Sequence, residues 1–257
     1  MSAGPQTDPP DDAPAWTRRP VGLSRAVTAE LVERIVSGHY PVGTTLPTEP
    51  ALCDTFSVSR TVIREAVKML QEKGLVRVRQ GSGTLITDPD SWNLLDEQVL
   101  AASITSGRKS GILDDLVITR RLLEADMAHL AATTISGDDL ERLRELVERM
   151  DTLVDDWPSY IPYDKEFHDV IMLASGNRLA RGVVRSLESQ AAHAARYVGS
   201  PRRGDVVESN AGHREILDSL AAGDAPGAAA AMNRHITEGW LKRRKSKTGT
   251  NRLSRDT

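Results

Sequence analysis

The sequence predicts a mainly α protein in two parts: a small unit of three helices closed by a β-hairpin, then an all-α bundle of six or seven helices. Three observations carry this reading. From Leu23 to Thr87 the local signals change rapidly and end in an alternating stretch, VRVRQGSGTLIT. Beyond Asp88-Pro89 the alternation is gone, and apolar residues recur at helical spacing as far as about residue 244. Apolar residues make up 39% of the 257, enough to build two ordinary cores.

The elements follow in order. Residues 1–20 hold Pro5, Pro9, Pro10, Pro14 and Pro20 among acids, a composition that buries little, so a disordered arm is expected. Over 24–37, Val27, Leu31 and Ile35 recur on one helical face and Gly38 follows as a stop. In TEPALCDTF, Thr48 is a candidate N-cap and Pro50 falls in the first turn, where a missing N–H costs nothing. VSRTVIREAVKMLQEKG sets Val58, Ile63, Ala66, Val67 and Leu70 on one side and Arg60, Thr61, Arg64 and Lys68 on the other, before Gly74. In the hairpin, Val76 and Val78 alternate with Arg77 and Arg79, and the chain turns at Gln80-Gly81-Ser82-Gly83. The first unit therefore spans 21–88 and the bundle 89–245, with helical patterns near 92–105, 112–134, 138–155, 160–174, 178–198, 204–222 and 225–244. A basic tail is expected over 246–257, the helix fraying after about Lys245, as a solvated end or an auxiliary phosphate contact.

Composition excludes several classes. Thirty-three basic against 36 acidic residues give a net charge of −3, so the chain cannot coat nucleic acid by bulk attraction. A single cysteine, Cys53, closes no internal disulfide and builds no four-thiolate zinc site. No run approaches the roughly 18 apolar residues of a spanning helix, and no basic-then-apolar leader opens the chain. The expectation is a cytoplasmic protein without membrane contact.

Three helices and a hairpin, with a basic outer face on the third helix, make a winged helix-turn-helix, whose third helix enters the major groove of double-stranded DNA. Between Val58 and Gln80 six basic residues stand against two acids, a local surplus of +4 in a protein of net −3. Arginine suits the guanine edge because its planar fork matches two acceptors, while Ser59 and Thr61 at the helix start reach phosphate or base.

At this point a family resemblance appears. PVGTTLPTEPALCDTFSVSRTVIREAVKMLQEKGLVRVRQGSGTLI resembles the DNA-binding domain of the GntR family of bacterial transcription regulators, through PVGTTLPTE, VSRTVIREA, GLV and GSGT. The resemblance implies DNA contacts at Ser59, Arg60, Thr61 and Arg64, and at Gln80 and Gly81 of the wing tip, with Lys68 added from the exposed helix face. Many members carry an arginine after the helix-two glutamate; here Pro50 follows Glu49, so that contact is missing.

In the bundle, YIPYDKEFHDVIMLA places Asp164 and His168 one turn apart on one face. His213 and His235 fall on the next helical patterns. Antiparallel helices can bring one carboxylate and three imidazoles together as ligands for a divalent transition metal. Taken alone, Asp164 and His168 also fit a surface ion pair, and His39, His129 and His193 show that histidines occur elsewhere. DLVITRRLLEADMAHLAA, YDKEFHDVIMLASGN and GHREILDSLAAGD with AAMNRHI resemble the FCD ligand-binding domain of the FadR branch of the same family. The resemblance implies metal ligation by Asp164, His168, His213 and His235, by zinc first, with nickel, manganese or iron as alternatives. It also implies that Arg120 receives the carboxylate of an effector; its alternative is an intrahelical pair with Glu124. The expected protein is a homodimeric, ligand-responsive regulator, a repressor on an inverted-repeat operator, sensing a sugar acid, hydroxy acid or dicarboxylate. The competing classes are a metal-dependent hydrolase or isomerase fused to a DNA-binding domain, and an architectural DNA protein. A hydrolase needs a general base near its metal water, and Glu166 lies about 200° around the helix from Asp164. The segment Asp88 to Asn93 is where effector binding is expected to reach the DNA-binding unit.

Overall fold

The computed structural model describes residues 21–79, 81–106, 111–198 and 201–253, and their side chains apart from those of 21, 190–198 and 243–253. The arm over 1–20 and Gln80 lie outside the described residues. The chain divides after Val99 into two compact units.

The first unit contains α1 (Val21–Val36), α2 (Glu49–Phe56), α3 (Arg60–Glu72), β1 (Val76–Arg79) and β2 (Gly83–Ile86). Leu31, Ile35, Leu52, Ile63, Ala66, Leu70, Leu75 and Ile86 form its buried interior. Each helix start has a chemical reason. The Thr48 hydroxyl accepts from the Ala51 N–H and the Ser59 hydroxyl from the Val62 N–H, both at 3.4 Å. Helix α2 stops at Ser57, whose φ of 52° lies in the left-handed region that a non-glycine residue enters at a cost. The antiparallel wing pairs Val76 with Ile86 and Arg79 with Gly83. Its alternation is only half realised. Val76 is buried, yet Val78 is 50% exposed, because the hairpin leaves the core within one residue pair.

After the wing the chain returns to the end of α3. The Asn93 N–H donates to the Lys73 carbonyl at 2.9 Å, and Lys73 Nζ meets Asp96 Oδ2 at 2.5 Å. Gly74 makes this approach possible: its φ is +74°, and a Cβ there would collide with the Ser91 carbonyl oxygen.

Helix α4 (Glu97–Thr105) begins before the division and ends after it, and the second unit continues with α5 (Ile112–Ala131), α6 (Gly137–Asp151), α7 (Trp157–Ala174), α8 (Arg178–Val198), α9 (Arg203–Ala221) and α10 (Ala225–Leu253). Seven helical patterns were expected there, and these helices occupy them. Helix α5 packs along α10, α10 along α9, and α6 against α7 and α9. Their shared core includes Ala128, Leu143, Leu146, Met150, Tyr160, Phe167, Ile171, Ile216 and Met232. Several boundaries differ from expectation, among them the start of α7 and the end of α10. Asp156-Trp157-Pro158, expected as a break, begins α7: the Asp156 carboxylate accepts from the Ser159 N–H at 3.3 Å and Pro158 sits in the first turn. Helix α10 continues past Lys245 to Leu253, its lysines and arginines being good helix formers. Among the described residues no helix is long and apolar enough to cross a membrane.

Candidate functional site

On the first unit, Ser59, Arg60, Thr61, Arg64 and Lys68 are exposed along α3, opposite the buried Val62, Ile63, Ala66 and Leu70. Arg77 and Arg79 are exposed on β1, and Gly81 is exposed at the wing tip with φ +76°. Two details refine the expected DNA contacts. The Ser59 oxygen accepts from the Val62 N–H as the α3 cap and keeps its O–H as a donor. Arg64 is not isolated: its Nε lies 3.2 and 3.0 Å from the two Glu49 carboxylate oxygens. That contact is made through Nε, and the Arg64 side chain stays exposed. The adjacent Pro50 has no charge with which to compete for Glu49.

In the second unit Asp164 and His168 on α7, His213 on α9 and His235 on α10 converge, with one potential ligand atom from each lying within 4.8 Å of all the others. His168 Nε2 and His235 Nε2 face each other at 3.2 Å, and His213 Nε2 stands 3.3 Å from Asp164 Oδ1. Two bonds at metal–nitrogen length, ~2.05 Å, would span an edge of ~2.9 Å at 90° and ~3.3 Å at 109°. The histidine pair falls inside that interval.

Surrounding residues settle which ring nitrogens face inward. The Asn210 amide donates to the Val147 carbonyl at 3.1 Å and to Asp151 Oδ1 at 2.7 Å, so its oxygen is the atom 3.3 Å from His213 Nδ1. The Tyr160 hydroxyl also lies 3.3 Å from Nδ1; a proton on Nδ1 directed at the Asn210 oxygen leaves a lone pair on Nε2. His213 Nε2 is buried and makes no sound hydrogen bond, and its neighbour is an acceptor carboxylate. On the other side Glu124 Oε2 approaches His168 Nδ1 to 2.7 Å, which favours the proton there and again turns an Nε2 lone pair toward the cluster. Gly212 admits the last ligand, since a Cβ at that position would stand 2.8 Å from His235 Nδ1.

Electrostatics match this arrangement. Burial alone would raise the Glu124 carboxyl, but the Arg120 guanidinium and His168 prevail and hold it down at about 2. Asp164 is likewise opposed by burial, and His213, His168 and His235 hold it well below the ordinary carboxylate range. Burial pushes His213 and His235 down and keeps them neutral; it also opposes charge on His168, which Glu124 nevertheless raises. Arg120 does pair with Glu124, Nε to Oε1 at 2.7 Å, and also with Glu188 on α8 at 2.9 Å. It lines, with Asp164, His168 and His235, a cavity of about 60 Å³.

Sequence reasoning missed Glu188, Asn210 and the contact of Glu124 with His168. A helix pattern shows which residues share a face on one element, whereas Asn210 reaches its partners from 59 and 63 residues away. Glu166, examined in the sequence as a base, is bound to Arg142 on the surface at 2.6 Å.

A winged helix with a basic face and a helical bundle with a polar, ligand-lined interior define a DNA-binding regulator with a sensing domain. Residues 23–86 match the model of bacterial regulatory proteins of the gntR family, and residues 115–238 match that of the FCD domain. The chain is 31% identical over 208 residues to the uncharacterized HTH-type transcriptional regulator YieP of Escherichia coli, covering 80% of this chain and 89% of that one. It is 30% identical over 225 residues to the Exu regulon transcriptional regulator of the same organism, covering 84% and 83%. The solved structure described as "Lar controls the expression of the Listeria monocytogenes agr system and mediates virulence" shares the fold, with a TM-score of 0.53 at 19% identity over 87% of this chain and 97% of that one. The protein belongs to the GntR family and is a DNA-binding transcription regulator with an FCD ligand-binding domain, not an enzyme.

Proposed function

We propose that the protein is a homodimeric repressor that binds an inverted-repeat operator and is released or tightened when a small organic acid binds beside a divalent transition metal held by Asp164, His168, His213 and His235. The observation that carries the metal is two donor pairs held side by side, His168 Nε2 with His235 Nε2 at 3.2 Å and His213 Nε2 with Asp164 Oδ1 at 3.3 Å. A divalent cation satisfies both. Arg120 pairs with Glu124 and Glu188 and also feels the Asp164 carboxylate, so three acids act on this one guanidinium. Three imidazoles and a carboxylate suit zinc, with nickel, manganese or iron as alternatives. Bound there, the ion supplies a Lewis-acid anchor for the oxygens of a hydroxy acid, sugar acid or dicarboxylate.

Repression follows from geometry on DNA: two winged helices on adjacent half-sites occupy the operator, and an effector lowers occupancy only by favouring a dimer with different helix spacing. The clasp of Lys73 to Asn93 and Asp96 gives the segment after the wing a grip on the recognition helix itself. Elemental analysis of protein purified without chelator tests the metal, with about one ion per subunit expected. No metal, together with melting unchanged by zinc or nickel, rejects it. Operators selected from random DNA are expected to be inverted repeats, and a single half-site bound by a monomer rejects the dimer.

A further inference from the structure

Two cations line the cavity beside the four converging residues, Arg120 and Lys242. They are held very differently. Arg120 is tied to Glu124, which is fully buried, and to Glu188, so drawing it toward a new anion strands a carboxylate inside the protein. Lys242 pairs with Glu208 and, at 3.9 Å, with Glu238, whose side chains are 65% and 60% exposed. Water replaces the lysine at such carboxylates at little cost. Lys242 itself is 25% exposed, its stem covered and its charge at the rim.

The helix places this cation usefully. His235, Gly239 and Lys242 are spaced four and then three residues apart on α10, hence on one face, with Lys242 about 10 Å along the axis from His235. Gly239 lies between them without a side chain. It lines both the cavity of about 60 Å³ and a neighbouring one of about 230 Å³, and the two also share Asp205, Ser209, His235 and Lys242. Asp205 and Ser209, one turn apart on α9, line both cavities beside Gly239; Asp205 Oδ2 accepts from the Arg202 N–H and Ser209 bonds the Tyr160 side chain, which leaves the other Asp205 oxygen for a ligand hydroxyl. A carboxylate there would be repelled by Asp205, whereas a hydroxyl is accommodated.

We infer that Lys242 receives the outer acid group of the effector and makes the site selective for hydroxylated diacids over the corresponding monoacids. This rests on the proposed effector site: one acid end lies toward His235, the hydroxylated body over Gly239, and the other end at Lys242. Arg120 is then a positioning residue for Glu124 rather than the main receptor.

The test uses D-glucarate and D-gluconate, which differ at one terminus by an acid group, titrated by calorimetry into the zinc-treated full-length protein. Wild type is expected to bind glucarate at least about tenfold more tightly than gluconate, as a charge-assisted contact implies. Lys242→Met loses this preference and Lys242→Arg keeps it, while zinc affinity and melting temperature stay at the wild-type values. A wild type that binds neither acid, or both alike, overturns the inference, as does a Lys242→Met protein that retains the preference. The same titrations after chelator treatment keep the two readings apart: failure to bind zinc rejects the metal, whereas the glucarate-to-gluconate ratio still reports on Lys242.

Discussion

The two functional surfaces of this regulator are built in opposite ways. The candidate DNA-contacting residues, among those described, stand on one exposed helix face and the adjoining wing, within two dozen residues of chain, and only Arg64, through Glu49, is tied to another helix. The converging histidines and Asp164 come from three helices, and their ring nitrogens are oriented by Glu124 and Asn210 from two further positions. Exposed contacts in high dielectric behave nearly independently. Buried groups share protons, charge and space, so a change at one is felt by all.

That contrast can be broken or sharpened by experiment. The largest effect is expected from His213→Ala, which removes one of four ligands. If zinc at about a hundred times its dissociation constant stabilises the wild type by about 2.7 kcal/mol, the variant shows almost none of that gain in a melting assay. Next comes Glu124→Gln, which is not itself a ligand but contacts His168 and is expected to weaken zinc binding about 10- to 100-fold through the orientation of that ring. Zinc competition with a chromophoric chelator measures it. Combining Glu124→Gln with His168→Ala adds little to the histidine loss alone, whereas changes on the DNA face add; equal additivity in both units would break the comparison.

On the DNA face, Arg60→Ala is expected to cost about 1–3 kcal/mol and to relax sequence preference. Anisotropy titrations on selected and scrambled duplexes measure this, and equal losses on both reject a base-reading role. Lys68→Ala has a smaller effect, weakening all sequences alike and reducing the salt slope by about one.

Acid separates the units as well. His213 and His235 have their pKa values lowered by burial, so the native state binds fewer protons than the unfolded chain below about pH 6.5. Their contribution is present above the ordinary value of 6.5 and is lost as the pH falls through it, while His168, raised beside Glu124, offsets part of the loss. Melting of metal-free protein is therefore expected to fall between about pH 8 and 5. The decline steepens with zinc present because each ligand must stay unprotonated. A melting temperature flat over that range contradicts the buried, neutral histidines.

The elements themselves were legible because their causes are local. Thr48 and Ser59 cap helices from within the same turn, Gly74 ends α3 where only a positive φ fits, and Arg77 and Arg79 alternate on a two-residue period. The four candidate ligands were legible for a different reason. Asp164 and His168 share a helix face by spacing alone, and the family resemblance supplied His213 and His235 as their companions.

What the sequence by itself determined, then, is which residues share an element and which face of it they occupy, since helical and strand periods are properties of a few consecutive residues. It could not determine which face meets which. Only tertiary packing brought Asn210 to the Val147 carbonyl and to Asp151, set Glu188 against Arg120, closed Glu49 on Arg64, and let α10 approach α9 closely enough at Gly212 for His235 to join the cluster. Those contacts depend on how whole helices pack, and no local period records that.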